Sequence, residues 1–260
     1  MRDILEEYAE GDGPMQRAQR GMRPVLPKRF FKEARVVERD GAFVLELDGK
    51  TARTPAKNLL FAPNSSIGDA LAAEWNALGD TIDPAQMPLT RLLNVAIDRV
   101  AENADIVAAD IASYAGSDLV CYRAGEPEGL VAAQAARWDP LLGWARDALG
   151  AHFSLAEGIR YVEQAEASVV AVRVAIDKVE RPFGVAALAT VTALTGSVLI
   201  ALMLAHGKLP PDAAWIAGHV DEDWNISQWR EDTEAMQRRA ARRLEFDGAA
   251  MVLAAIQPKP

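Results

Sequence analysis

Cysteine is nearly missing from this chain: Cys121 is the only one in 260 residues. That scarcity excludes a disulfide framework and a thiolate metal cluster, and makes a reducing compartment the expected setting. Cys121 also lacks a local nucleophile signature and reads as a small buried apolar side chain. Histidine is sparse as well. His152, His206 and His219 stand far apart, with no His-x-x-x-His or Cys-x-x-Cys spacing to seat zinc. There is no Gly-rich phosphate loop and no nucleophile elbow. Gly207-Lys208 runs into Leu209 and lacks the upstream glycine that a phosphate loop needs. Positive charge is in deficit too. With 28 Lys and Arg against 37 Asp and Glu, the net charge is -9. A nucleic-acid binder would need a basic face, so that function is excluded. These absences leave no cofactor or metal to expect and little for catalysis to use.

Half of the residues are hydrophobic and a quarter charged, the composition of a globular chain with a proper core. The opening MRDILEEYAEGDG is acidic and has no apolar stretch. It is neither a secretory signal nor a basic transit peptide, so the expected location is the cytoplasm. Phe183 to Ala205 carries no charge and is long enough to cross a bilayer. It is nevertheless rich in Ala, Thr, Gly and Ser and has no aromatic belt. It reads as one central buried helix, or two short ones broken at Thr195-Gly196-Ser197, and no integral membrane segment is expected.

The chain divides by pattern into a polar, Gly- and Pro-bearing arm over residues 1–28, a β-rich domain over 29–85 and a helical domain over 86–260. In the β-rich part, Ala34–Glu38 and Phe43–Leu47 flank Asp40-Gly41, a strong hairpin signal. A second turn at Asp48-Gly49 leads into Lys50–Thr54, which Pro55 stops, and Asn58–Phe61 extends the meander. Ser65 or Ser66 is positioned to cap a covering helix whose apolar residues Ile67, Leu71, Trp75 and Leu78 fall at helical spacing. Leu119–Tyr122 fits either a strand or a helix end. Helices are expected over roughly 128–149, 165–179, 183–206 and 211–256, with a short strand near 160–163. The last helix has possible breaks at Gly218 or Gly248. The fold class is therefore α+β, a small N-terminal meander followed by a larger helical domain.

Residues 219–245, HVDEDWNISQWREDTEAMQRRAARRLE, are ordered by charge. Asp221, Glu222, Asp223, Glu231, Asp232 and Glu234 come first, interleaved with Trp224 and Trp229; Arg238, Arg239, Arg242 and Arg243 follow. This order complements a helix dipole. Glu234 with Arg238, and Asp232 with Arg239, are spaced for support within one helix. Large amphipathic aromatics beside charges also suit a protein-binding surface. A capped amphipathic helix with inward-packed tryptophans would give the same pattern. Runs of adjacent acids are usually a solvated face, and general acid-base work needs a desolvated carboxyl.

Four blocks in order carry a family resemblance: RFFKEARVVERDGAFVLELDGKTARTPAKNLL at 29–60, AEWNALGDTIDPAQMPLTRLLNVAIDRV at 73–100, DLVCYRA at 118–124 with WDPLLGWA at 138–145, and the closing charged segment. Together they resemble the assembly chaperone of the ATP synthase catalytic head (F1) that binds its α subunit, the "ATP twelve" family, in its bacterial form. The resemblance implies a non-enzymatic protein that holds the unassembled α subunit until a β subunit replaces it. Its C-terminal pattern falls on Glu222, Asp223, Trp224, Gln228, Trp229, Glu231 and Asp232, the expected client-binding residues. Trp75 matches a family position, and its helical spacing equally allows a structural role. A monomer is the expected state. Two rivals stay open: an enzyme or carrier using a cleft between the two domains, and a self-associating scaffold.

Overall fold

The computed structural model describes residues 26–158, 160–228 and 233–257. Most of the expected N-terminal arm, and the candidate site residues Trp229, Glu231 and Asp232, lie outside the described residues.

Strand β1 (Ala34–Arg39) pairs antiparallel with β2 (Ala42–Leu47), in register from Ala34↔Leu47 to Arg39↔Ala42. Asp40 and Gly41 join them with φ of 51° and 79°. Two successive left-handed residues match the twist of the strands, and an Asp-Gly pair tolerates that backbone best. Asp48 and Gly49 repeat the device and lead into β3 (Lys50–Thr51). β3 is shorter than the sequence pattern implies. The chain turns away through Lys57, at φ 69°, and returns as β4 (Phe61–Ala62), so β3 and β4 share one edge of β2. Asp98 holds the intervening loop, accepting hydrogen bonds from Thr54 Oγ1, the Ala56 amide and Asn58 Nδ2 at 2.6, 3.0 and 2.9 Å.

Helix α1 (Ser65–Asn76) covers the sheet. Its cap is Asn64, not Ser65 or Ser66: Asn64 Oδ1 accepts from the Ile67 amide while Nδ2 donates to the Ala255 carbonyl, both at 3.0 Å. One side chain thus caps this helix and ties it to the far end of the chain. Helix α2 (Pro88–Val95) passes through a π-helical turn (Ala96–Val100) into α3 (Ala101–Ser113). Leu119–Cys121 form a 3-10 turn leading to β5 (Tyr122–Arg123), which resolves the ambiguity of that run. β5 pairs in parallel with β6 (Ala156–Glu157), a few residues before the expected strand near 160–163. Gly158, at φ 73°, ends the pairing there with its amide donating to the Arg123 carbonyl.

Helix α4 (Glu128–Trp144) continues through a second π-helical turn (Ala145–Leu149), and α5 (Glu166–Asp177) follows. The uncharged run forms two helices, α6 (Phe183–Thr195) and α7 (Val198–Ala205). Gly196 makes the break at φ 69°, and Ser197 Oγ caps α7 by accepting from the Ile200 amide at 3.1 Å. Every residue from Val198 to Leu204 is buried. Burial of each large aliphatic among them contributes roughly 1.5–3 kcal/mol. No helix among the described residues is long and apolar enough to cross a membrane. One continuous cluster joins Leu45 and Leu60 of the sheet region, Leu71 and Leu93, and Leu188 and Leu199 of α6 and α7.

The closing segment divides into α8 (Pro211–Gly218), α9 (Val220–Gln228) and α10 (Thr233–Ala255). A β-carbon at Gly218 would lie 2.7 Å from Thr195 Cγ2, so glycine there lets α8 close on α6 where the helix breaks. Gly248 makes no break. It lies buried inside α10 against Pro88 and Leu89.

Candidate functional site

The end of α8 positions the start of α9. His219 stacks on Trp215 with ring centroids 3.7 Å apart. Its Nδ1 donates to the Trp215 carbonyl at 2.8 Å, and its own carbonyl accepts from the Asp223 amide at 2.8 Å. Burial pushes the His219 pKa below its ordinary value, partly offset by that hydrogen bond and by Glu222. The ring is a neutral brace under the acidic turn. His219 Nε2, Arg239 Nη1 and Arg242 Nε are all buried without a hydrogen-bond partner.

On this brace sit the carboxylates of α9, and α10 brings the cations to them. Arg239 Nη2 pairs with Asp223, and Arg239 Nη1 lies 3.4 Å from Glu222 Oε2. Arg242 Nη2 spans both Glu222 oxygens at 2.8 and 2.9 Å. The two arginines differ in setting: the Arg239 side chain is 14% exposed and its guanidinium lies 5.7 Å over the Trp215 ring, whereas Arg242 is 42% exposed. Glu222 and Asp223 remain 33% and 41% exposed. Arg243 pairs with Asp212 and Asp247, and Arg238 with Glu234 one turn away. The pairing of Arg238 and Glu234 follows the sequence spacing; the pairs between α9 and α10 do not, because they span 16 to 20 residues.

The remaining candidate residues are distributed around this corner. Asp221 accepts from Gln134 Nε2 at 2.7 Å, and Gln134 Oε1 accepts from the Ala124 amide at 2.8 Å, linking α9 through α4 to the chain beyond β5. The half-buried Trp224 lays its ring over α4 where Gly129 leaves room; a side chain at 129 would collide with it. Gln228 is exposed, and its Nε2 donates to the neighbouring Ser227 Oγ at 3.1 Å. Trp75 belongs to another joint, between α1 and α2. Its Nε1 donates to Thr90 Oγ1 at 2.9 Å and its ring meets Phe31 at 5.5 Å. Beside it Glu74 caps α2, accepting from the amides of Leu89 and Thr90 at 2.7 and 2.9 Å and from the Thr90 hydroxyl.

Desolvated carboxyls do occur, but they serve the backbone. Asp118 is fully buried, and burial pushes its pKa up to about 6 against hydrogen bonds from Ser197 and nearby amides. It accepts from the Val120 and Leu199 amides at 3.1 Å each, so it caps a turn and the start of α7. An aspartate directly before an apolar run is a readable capping signal, which the sequence reading passed over. Glu74 and Glu180, both raised by burial, likewise accept backbone amides. Cys121 is buried and its thiol is pushed up to about 12, far from a reactive thiolate. Among the described residues no group of three or more His, Cys, Asp and Glu could hold a metal ion. A cavity of about 520 Å³ lies at the start of α3 against Arg181 and Pro182. The corner offers half-exposed carboxylates, guanidiniums and a tryptophan edge, which is the equipment of a protein-binding surface.

Comparison with known proteins finds relatives described as chaperones. A family model described as ATP12 chaperone protein matches residues 28–146. Among solved structures, a candidate chaperone from Agrobacterium tumefaciens is 44% identical, with a TM-score of 0.84 over 97% of this chain and 94% of that one. Atp12 from Paracoccus denitrificans is 34% identical, with a TM-score of 0.78 over 88% of this chain and 97% of that one. The mitochondrial protein atp12 of Schizosaccharomyces pombe is 24% identical over 140 residues, 50% of this chain. That match spans 48% of the length of the curated relative.

Proposed function

The chain belongs to the ATP12 chaperone family, and from that premise we propose that it serves ATP synthase assembly by binding the unassembled α subunit. An isolated subunit of an alternating hexamer exposes an apolar interface that aggregates unless covered. A chaperone for it must hold firmly enough to prevent aggregation and loosely enough to be displaced. Modest area with polar contacts meets both needs. No chemical step is required of the chaperone, and none is assigned to it.

The observation that supports this reading is the α9–α10 corner. Glu222 and Asp223 are held in fixed positions yet stay about a third or more exposed, beside the half-buried Trp224 and the exposed Gln228. Exposed carboxylates complement basic groups of a partner, and a rigid aromatic edge adds contact area. Trp229, Glu231 and Asp232 are assigned the same client-binding role by their place in the family's C-terminal pattern alone. The test is light scattering from a purified ATP synthase α subunit at its aggregation temperature. Stoichiometric chain is expected to suppress the signal, and an undiminished signal would overturn the reading.

A further inference from the structure

The two arginines that face the acidic turn are not equivalent, and their difference has a functional reading. Arg239 is the less exposed one, under Asp223 and Glu222 and over the Trp215 ring. Withdrawing it would uncover a desolvated indole and two carboxylates at once. Arg242 reaches Glu222 from the solvent side, at 42% exposure, and grips both carboxylate oxygens. Each arginine leaves one buried nitrogen without a hydrogen-bond partner, Arg242 Nε and Arg239 Nη1, so it is exposure that sets the two apart. A buried donor left unmade offsets part of what the ion pair gains. An exposed pair is weak to begin with and is easily exchanged for another cation.

We propose that Arg242 is a gate on Glu222: it occupies the carboxylate in the free protein and yields it to a basic side chain of the client, while Arg239 stays as the anchor that aims both acids. The proposal rests on the assignment of this corner to the α subunit. The incoming group is an arginine or lysine, because it must replace a guanidinium on a carboxylate. Arg242, once displaced, turns to solvent at little cost, since it is already half there. Arg239 has no such exit and keeps its place over Trp215.

The two arginines therefore predict opposite outcomes for the same kind of change. Binding of the full chain to a purified α subunit is measured by biolayer interferometry at low and moderate salt, with unfolding midpoints recorded alongside. Arg242→Gln removes the competitor and is expected to tighten binding about two- to five-fold, the factor set by an exposed ion pair. Arg239→Gln is expected to weaken it about ten-fold or more in folded protein. A purely structural pair would give weakening in both variants, in step with lost stability. Equal or weaker binding by folded Arg242→Gln overturns the gate, and that variant decides alone if Arg239→Gln fails to fold. Absence of binding by the unmodified chain overturns the gate and the functional reading together, an outcome distinct from failure of the gate alone.

Discussion

Asp118, before the Leu119–Cys121 turn, and the acids in the first turn of α9 both place carboxylates at a helix start, in opposite surroundings. Asp118 is fully buried, accepts amide and hydroxyl hydrogens, and forms no ion pair among the described residues. Glu222 and Asp223 sit at the surface, satisfied by guanidiniums from another helix. The first arrangement is held by hydrogen bonds inside the core and cannot be exchanged without opening it. The second is held by partly screened charge pairs that another molecule can compete for. On the proposed reading, stability and binding are thus placed in different parts of one chain. The core around α6 and α7 carries the fold, and the proposal makes the α9–α10 corner the part that changes partners.

The largest expected effect lies on the core side. Trp138 is wholly buried and its Nε1 donates to the Ala217 carbonyl at 2.7 Å. Trp138→Ala should cost about 3–5 kcal/mol from the cavity alone. Urea unfolding would measure it, and a loss below about 1 kcal/mol would mean that α4 is not packed on α8 as described.

Asp118 gives the next largest effect and a pH signature. Its pKa rises from 3.8 unfolded to about 6 folded. The folded state therefore holds the proton more tightly, and this group's contribution to stability is full below pH 4. It is lost as pH rises through 4 to 6 and stays lost above. The shift amounts to about 3 kcal/mol at most, at roughly 1.4 kcal/mol per unit. Asp118→Asn should remove this component, so the difference between wild-type and variant stability should slope between pH 4 and 6 and be flat above. A flat difference throughout would mean that Asp118 is solvated. Exposed carboxylates lowered by their partners, such as Asp48 and Asp147, act in the opposite sense and cancel in the difference.

A smaller change separates the two roles open to Trp75. Trp75→Phe keeps the ring on Phe31 and deletes the hydrogen bond to Thr90, which should cost about 1 kcal/mol. Client capture per folded molecule should stay unchanged, because Trp75 serves the α1–α2 joint. Lost capture at unchanged stability would make it a binding residue.

How much of this was legible in the sequence follows from the distance over which each feature acts. The Asp-Gly turns, the β1–β2 hairpin and the break at Gly196 were readable, because each is decided by two or three adjacent residues. The cap of α1 was assigned to the wrong residue: Ser65 and Ser66 are as good by type, and only the reach of Asn64 to Ala255, 191 residues away, favours it. The corner was legible as composition but not as geometry. Acids followed by arginines suggest support within a single helix, whereas Arg239 and Arg242 of α10 pair with acids of α9 across 16 to 20 residues. The seat of Trp224 on Gly129 is invisible to periodicity, since a glycine in an exposed helix turn signals nothing by itself.

The most direct test of the account is a variant that removes the corner's charge and keeps its shape. Glu222→Gln with Asp223→Asn leaves acceptors for Arg239 and Arg242, so the unfolding free energy should fall by no more than about 1 kcal/mol. Capture of the ATP synthase α subunit should fall at least about ten-fold, the factor that about 1.4 kcal/mol of lost binding represents. A folded double variant that captures the α subunit as well as wild type would contradict the account, and leave the acidic turn as nothing more than a helix start.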